Sequence, residues 1–313
     1  MFLYGPSDYG KTALRNPQGM ALMENILMVC DQGLPDLVAI DLATGRRLPF
    51  TDPNHRPRCP VAVATDAACV YVADTTMRCV LVYDRRGRLL EELAPTADPN
   101  RTFRPASVLV HENILYAGNI ADRRVERFDL NARQWLSPLL PPADMKKLVA
   151  PAGLDMLEDG TLLIVDAVQG HVLRCTRDGQ WLPPIGRPGR RDGEFVRPKQ
   201  VAHTLSGLIL VADAGRQSVL VFDARGRHLM ELHETNGDQP TQTPGARMGW
   251  RGFTLPMGVL PLPSASAKVM LPRLGHEIQA ADEYVLVSDE LGVPSLTLVG
   301  LVTRQTGEVT DAR

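Results

Sequence analysis

One short motif returns six times along the chain, and it narrows the possible folds more than any other feature. A proline, two residues and an apolar residue recur as PQGMA from Pro17, PVAVA from Pro60, PASVL from Pro105, PAGLD from Pro151, PKQVA from Pro198 and PMGVL from Pro256. The starts lie 43, 45, 46, 47 and 58 residues apart, and the third position is mostly small. After each proline an apolar run ends in a polar turn residue: Asp31, Asp74, Asn119, Asp166, Asp213 and Asp289. In five units a second run closes ten residues later, at Asp41, Asp84, Asp129, Thr176 and Asp223. A glycine follows four of these second turns, at Gly45, Gly87, Gly179 and Gly226.

Each unit thus holds about four short β-rich runs separated by turn signals. A period of that length with four strands per repeat is the pattern of a propeller blade. One blade cannot cover both of its apolar faces, so blades must pack against each other around a ring. The spacing predicts an all-β, six-bladed β-propeller of four-stranded antiparallel blades, with residues 1–313 as one domain.

The chain ends indicate how such a ring closes. Gly186, after LPPI, precedes Pro198 by the same 12 residues that separate Gly5 from Pro17, so Met1–Tyr4 aligns with the outermost strand of a blade. Thr303–Gly307 (TRQTG) aligns with Asp41–Gly45 (DLATG), the turn before that strand. Residues 1–5 are therefore expected to complete blade 6 by pairing of the N- and C-terminal segments, which removes an open sheet edge. Two stretches depart from the repeat. The segment Glu234–Phe253 is long and rich in Gly, Pro and Thr, and blade 6 replaces a tight hairpin with an excursion from Pro261 to about Asp282.

The segment RPKQVAHTLSGLILVADAGRQSVLVFDARG (Arg197–Gly226) resembles the NHL repeat almost throughout, as does the linker IGRPGRRDGEFVRP before it. The blade from Pro60 is nearly as similar, and the other four are eroded versions of it. The Asn-His-Arg signature of the family is degenerate; only Asp122–Val125 (DRRV) keeps an Arg before the apolar residue. The resemblance covers the whole chain and implies the fold, not an activity, because propellers carry many unrelated functions.

Similar six-bladed folds include lactonases, strictosidine-synthase-like enzymes and peptidyl-hydroxyglycine lyases. That likeness would imply a metal held over the central channel by Glu, Asp, Asn or His. In the lactonase-like pattern the residue after the repeat proline is often Asn or Asp. Here that place holds Gln18, Val61, Ala106, Ala152, Lys199 and Met257. No carboxylate or His stands among them, so neither a metal nor another cofactor is expected. The histidines give no alternative: His111 and His203 follow the inner-strand segments of blades 3 and 5, which are not neighbours. No G-x-S-x-G elbow marks nucleophilic catalysis. The six turn residues invite a calcium reading, but recurrence at one structural address suits turn stabilisation by Asp and Asn side chains better.

A net charge of −2 and an aromatic content of 5% count against a nucleic-acid binder, the third reading after a scaffold and an unrecognised enzyme. No stretch is apolar for long enough to span a membrane. No secretory signal is visible, so a cytoplasmic location is expected, the alternative being an exported protein whose leader is not in this sequence. The five cysteines form no CxxC pair and read as buried thiols. Trp135 and Trp181 fall on outer strands, where they pack blades, and Trp250 in the long linker is the better surface anchor.

The reading this favours is a non-catalytic scaffold that binds a protein partner or an anionic ligand through the loops of one face. In a propeller, the linkers entering each inner strand and the turns after each second strand share that face. Every entering linker carries a cation near its proline: Arg15, Arg58, Arg104, Lys147, Arg197 and Arg251. With Lys199 just inside blade 5, these form a candidate basic collar around the channel mouth. The competing expectation is that the six turn residues on the same face pair with the collar side chains.

Overall fold

The computed structural model describes residues 2–4, 14–34, 36–51, 54–95, 102–143, 145, 147–232, 253–270, 281–290 and 296–301. They form six four-stranded antiparallel sheets, the blades of a β-propeller, five of them with their strands in sequence order from the channel outward. The innermost strands are Pro17–Met23, Pro60–Thr65, Pro105–His111, Pro151–Met156, Pro198–His203 and Pro256–Leu262. Each begins at a repeat proline. The innermost strand is a sheet edge, where a residue without an N–H costs no ladder bond.

In every blade the register slips just after that proline, as between Pro60↔Asp74 and Ala62↔Ala73 and between Pro198↔Asp213 and Gln200↔Ala212. The residue after the proline is the extra residue of a β-bulge. The next position is small in every blade but the fifth, where it is Gln200, because the neighbouring inner strand lies against it. A Cβ on Gly19 would fall 2.8 Å from the Ala62 Cα, and one on Gly153 would fall 2.8 Å from the Gln200 Cα. Ser107 uses this closeness to donate to the Pro151 carbonyl at 2.9 Å, and Ser288 donates to the Gln18 carbonyl at 2.7 Å.

The middle strands of the blades are apolar on both faces and do not alternate, since each sheet is covered on both sides. Leu162–Asp166, Ile209–Asp213 and Ser218–Phe222 are buried at every residue. The core is accordingly divided among blade interfaces. Met28, Val72, Leu81 and Tyr83 fill the seam of blades 1 and 2, and Leu163, Val172, Phe195, Val211 and Leu220 that of blades 4 and 5.

Blade 6 is composite. Phe2–Tyr4 pairs antiparallel with Leu296–Leu301, with Phe2 opposite Thr297 and Tyr4 opposite Leu296, so the ring closes by pairing of the two end segments. The turn at Thr303–Gly307 lies outside the described residues. The excursion of blade 6 starts later than the sequence suggested. Pro261 sits within the inner strand opposite Val285, and the strand runs on to Leu262. The edge position again tolerates the missing N–H. A short helix, Ser264–Met270, then packs on blade 1 through Ala267. No helix among the described residues is long and apolar enough to cross a membrane.

Candidate functional site

The six turn residues close the second strands, and their oxygens are directed at the backbone of the linker entering the same blade. Asp74 accepts from the N–H groups of Arg58 at 2.6 Å and Cys59 at 2.8 Å, and from Thr76 at 2.9 Å and Met77 at 2.8 Å. Asp31 binds the N–H groups of Arg15, Asn16 and Gly33, and Asp213 those of Val196, Arg197, Gly215 and Arg216. Asp166 and Asp289 repeat the pattern with Val149, Ala150, Thr254 and Leu255. Asn119 uses its Oδ1 for Arg104 N–H at 3.1 Å, while its amide donates to Glu126 at 3.1 Å. These side chains are fully buried or nearly so. Their role as turn supports fits this geometry, and among the described residues none of Asp31, Asp74, Asp166 and Asp213 is within ion-pair distance of a collar side chain. The oxygens sit beneath the linker backbone and are already occupied by N–H groups.

The side chains of Arg15, Arg58, Arg104, Lys147 and Arg197 are exposed, and none makes an ion pair among the described residues. Four of them stand one or two residues before their prolines, Arg15 and Arg58 at the earlier position and Arg104 and Arg197 at the later. The backbone N–H groups of Arg15, Arg58, Arg104 and Arg197 are each held by the turn residue of their blade. A Cβ on Gly33 would lie 2.5 Å from the Arg15 Cβ, and one on Gly215 would lie 3.0 Å from the Arg197 Cβ, so linker and turn do share a face. Lys147 lies outside this register, since Val149 and Ala150 take the equivalent bonds in blade 4. Lys199 is half-buried; burial first, then the Arg197 guanidinium, pull its ammonium below the usual lysine range, partly offset by Glu290 and Asp213. Arg251 and Trp250 lie outside the described residues.

Trp135 packs edge-on to Phe103 and Phe128, with ring centroids 5.9 and 5.0 Å away, and Trp181 rests on the seam of blades 3 and 4. All five cysteines are free; Cys30, Cys79 and Cys175 are buried, whereas Cys59 and Cys69 are only half-buried. Burial pushes the Cys79 thiol up to about 12, which makes it a poor nucleophile.

At the opposite end of the channel the inner strands splay around a cavity of about 770 Å³. Its wall is mainly apolar, with Met20, Leu22, Val108, Leu154, Leu260 and Leu262 contributed by different blades. Two polar residues meet there that sequence reasoning did not connect. Asp155 of blade 4 and His203 of blade 5 approach at 2.7 Å between Oδ2 and Nδ1, and both line the cavity. The hydrogen bond to Asp155 raises His203 above the usual histidine value; desolvation opposes the shift, and the charges of Asp155 and Glu158 reinforce it. His203 was set against His111, two blades away, whereas its partner lies one blade back. Asp155 is the sole acid within the six inner-strand segments, and that was the available signal. Among the described residues no group of three or more His, Cys, Asp or Glu side chains is placed to hold a metal ion.

No protein-family model matches the chain, and no curated protein matches it. Many solved structures share its shape. A streptogramin B lyase is 12% identical with a TM-score of 0.58, covering 94% of this chain and 86% of that one. The virginiamycin B lyase from Staphylococcus aureus is 12% identical with a TM-score of 0.57, covering 92% and 95%. A chain of a nidogen–laminin complex is 16% identical with a TM-score of 0.54, covering 70% and 80%. At such identities the likeness establishes the propeller fold and nothing narrower.

Proposed function

We propose that this chain is an NHL-type propeller that acts as an interaction scaffold, and that the face of its entering linkers takes an acidic protein partner. The observation that carries the reading is the set of exposed arginines that make no ion pair among the described residues and whose own N–H groups are held by the turn residue of their blade. Arg15, Arg58, Arg104 and Arg197 stand one or two residues before the repeat proline in four blades, each held through its own N–H group. An arginine offers a planar fork suited to carboxylates, and a spatially repeated set presents several such forks to one partner. Besides burial, the Arg197 guanidinium pulls the Lys199 ammonium down, so two cationic side chains lie near one another on this rim. Propellers of this shape occur both in a nidogen–laminin complex and as streptogramin B and virginiamycin B lyases, so the fold admits assembly and chemistry alike. The exposed arginines of the rim favour assembly with an acidic partner.

The test is charge reversal. The partner captured by the intact protein at physiological salt and identified by mass spectrometry should bind less tightly as salt rises. The triple variant Arg58→Glu, Arg104→Glu, Arg197→Glu should lose that partner while keeping its circular dichroism spectrum. Capture that is unchanged in a folded triple variant refutes the collar as the binding surface.

A further inference from the structure

The far end of the channel combines features that the collar does not explain. The cavity is within the size range of small-molecule sites, which are apolar with a few placed polar groups. Its walls come from all six inner strands, and Leu205, a rim residue, is 75% exposed. Pro263, Ser264 and Ser266, at the start of the helical excursion, form one side of the mouth. Ser266 donates to the Glu24 carbonyl at 3.3 Å, which ties that side to blade 1.

Within this wall His203 is oriented from behind. Asp155 takes the proton-bearing Nδ1, so Nε2 is left as the working end of the ring, with no hydrogen bond among the described residues. In the imidazolium form Nε2–H is a charge-assisted donor, the stronger kind of hydrogen bond. The charged and titratable groups on the surrounding elements are Asp155 and Glu158 of blade 4, Asp282, Glu283 and Tyr284 of blade 6, and Glu24 of blade 1. Glu24 is paired with Arg85, and Glu283 is engaged by the N–H and Oγ of Ser206. An anionic ligand would meet these acids, while a neutral one with an acceptor oxygen would meet only the donor. We infer that this cavity binds a neutral, largely apolar small molecule whose carbonyl oxygen accepts a hydrogen bond from His203 Nε2. The site lies on the face opposite the collar and stands or falls independently of it.

Nile red is a suitable probe, being a neutral fluorescent dye with an apolar ring system and a ketone oxygen. Titration of the intact protein should give saturable binding at one dye per chain. Affinity should fall as pH rises through the His203 titration, followed on the same sample by its NMR resonances, because deprotonation removes the Nε2 donor. His203→Gln should weaken binding by about tenfold or more, the scale of a charge-assisted hydrogen bond. Leu260→Trp should abolish binding by filling the wall. Circular dichroism checks that each variant is folded, and the pH profile of the parent needs no variant at all. Absent or unsaturable dye binding by the parent overturns the inference. So does saturable binding that neither pH nor either folded variant alters.

Discussion

Replacing Asp74 with alanine removes an acceptor from four backbone N–H groups at once, those of Arg58, Cys59, Thr76 and Met77. The carboxylate is fully buried, but Arg58 and Thr76 are exposed residues whose N–H groups water can reach after the change. Cys59 and Met77 are half-buried and less easily rehydrated. A buried donor left unsatisfied costs about 1–3 kcal/mol. Two such donors plus the loss of two weaker bonds place the expected destabilisation at about 3–5 kcal/mol. Asparagine should do better than alanine without matching aspartate. In blade 3 the amide of Asn119 donates to Glu126, seven residues on, whereas the residue seven beyond Asp74 is Leu81, which accepts nothing. Asp74→Asn should therefore cost about half as much as Asp74→Ala. Equilibrium urea unfolding followed by far-ultraviolet circular dichroism gives both values. An alanine variant within about 1 kcal/mol of the parent would show that the linker does not depend on its turn residue. A large Ca²⁺ stabilisation seen in the parent and lost in the variant would make Asp74 a ligand after all.

The other expectations concern closure, glycine, histidine and metal. Deleting residues 1–5 removes the fourth strand of blade 6 and exposes the edge of Leu296–Leu301; the melting temperature should fall and light scattering should reveal aggregation. Gly87 and Gly179 hold the same turn position with φ of 80° and 82°, but a Cβ on Gly87 would lie 1.3 Å from the Phe50 carbonyl oxygen and one on Gly179 would meet nothing within 4 Å. In thermal denaturation Gly179→Ala should show only the roughly 1 kcal/mol of a positive φ, and Gly87→Ala should be far worse. By NMR, His203 should titrate above the usual histidine value of about 6.5 and move down in Asp155→Asn. Because the folded value is raised, the pair stabilises fully below about pH 6.5 and loses that contribution as pH rises through the folded value. EDTA, Ca²⁺ and Zn²⁺ should leave the melting temperature of the parent unchanged.

Much of the architecture could be read from spacing because a propeller repeats one address six times. The proline opens an edge strand, the turn acid holds the incoming linker, and each requirement leaves a residue at a fixed interval. The small third position followed from the same periodicity, and its cause, the backbone of the next inner strand, became visible only in three dimensions. Where one blade solved the local problem differently, the pattern weakened. Blade 3 has Arg133 at φ 59° where blades 1, 2, 4 and 5 use glycine, and Asn119 with Glu126 where they use an aspartate. The helix Ser264–Met270 was missed because it interrupts a single blade and has no counterpart from which its type could be inferred.

The sites were legible in proportion to how local they are. The collar is a within-blade feature: Arg15, Arg58, Arg104 and Arg197 each sit one or two residues before their own proline, and the turn residue that holds the N–H lies 15 or 16 residues away. Asp155 and His203 are 48 residues apart and belong to different repeats. Aligning repeats on one another lays equivalent positions in columns and hides contacts between columns. In the ring, however, inner strands stand side by side, so a residue four places after one proline meets one five places after the next. An acid in one inner strand and a histidine one blade on are then neighbours by construction. The same rule applied to the other five seams brings together no second acid and histidine, because the remaining inner strands contain no carboxylate. A pair that the repeat itself does not require is held by chemistry particular to one seam, which is the physical reason to seek a ligand there.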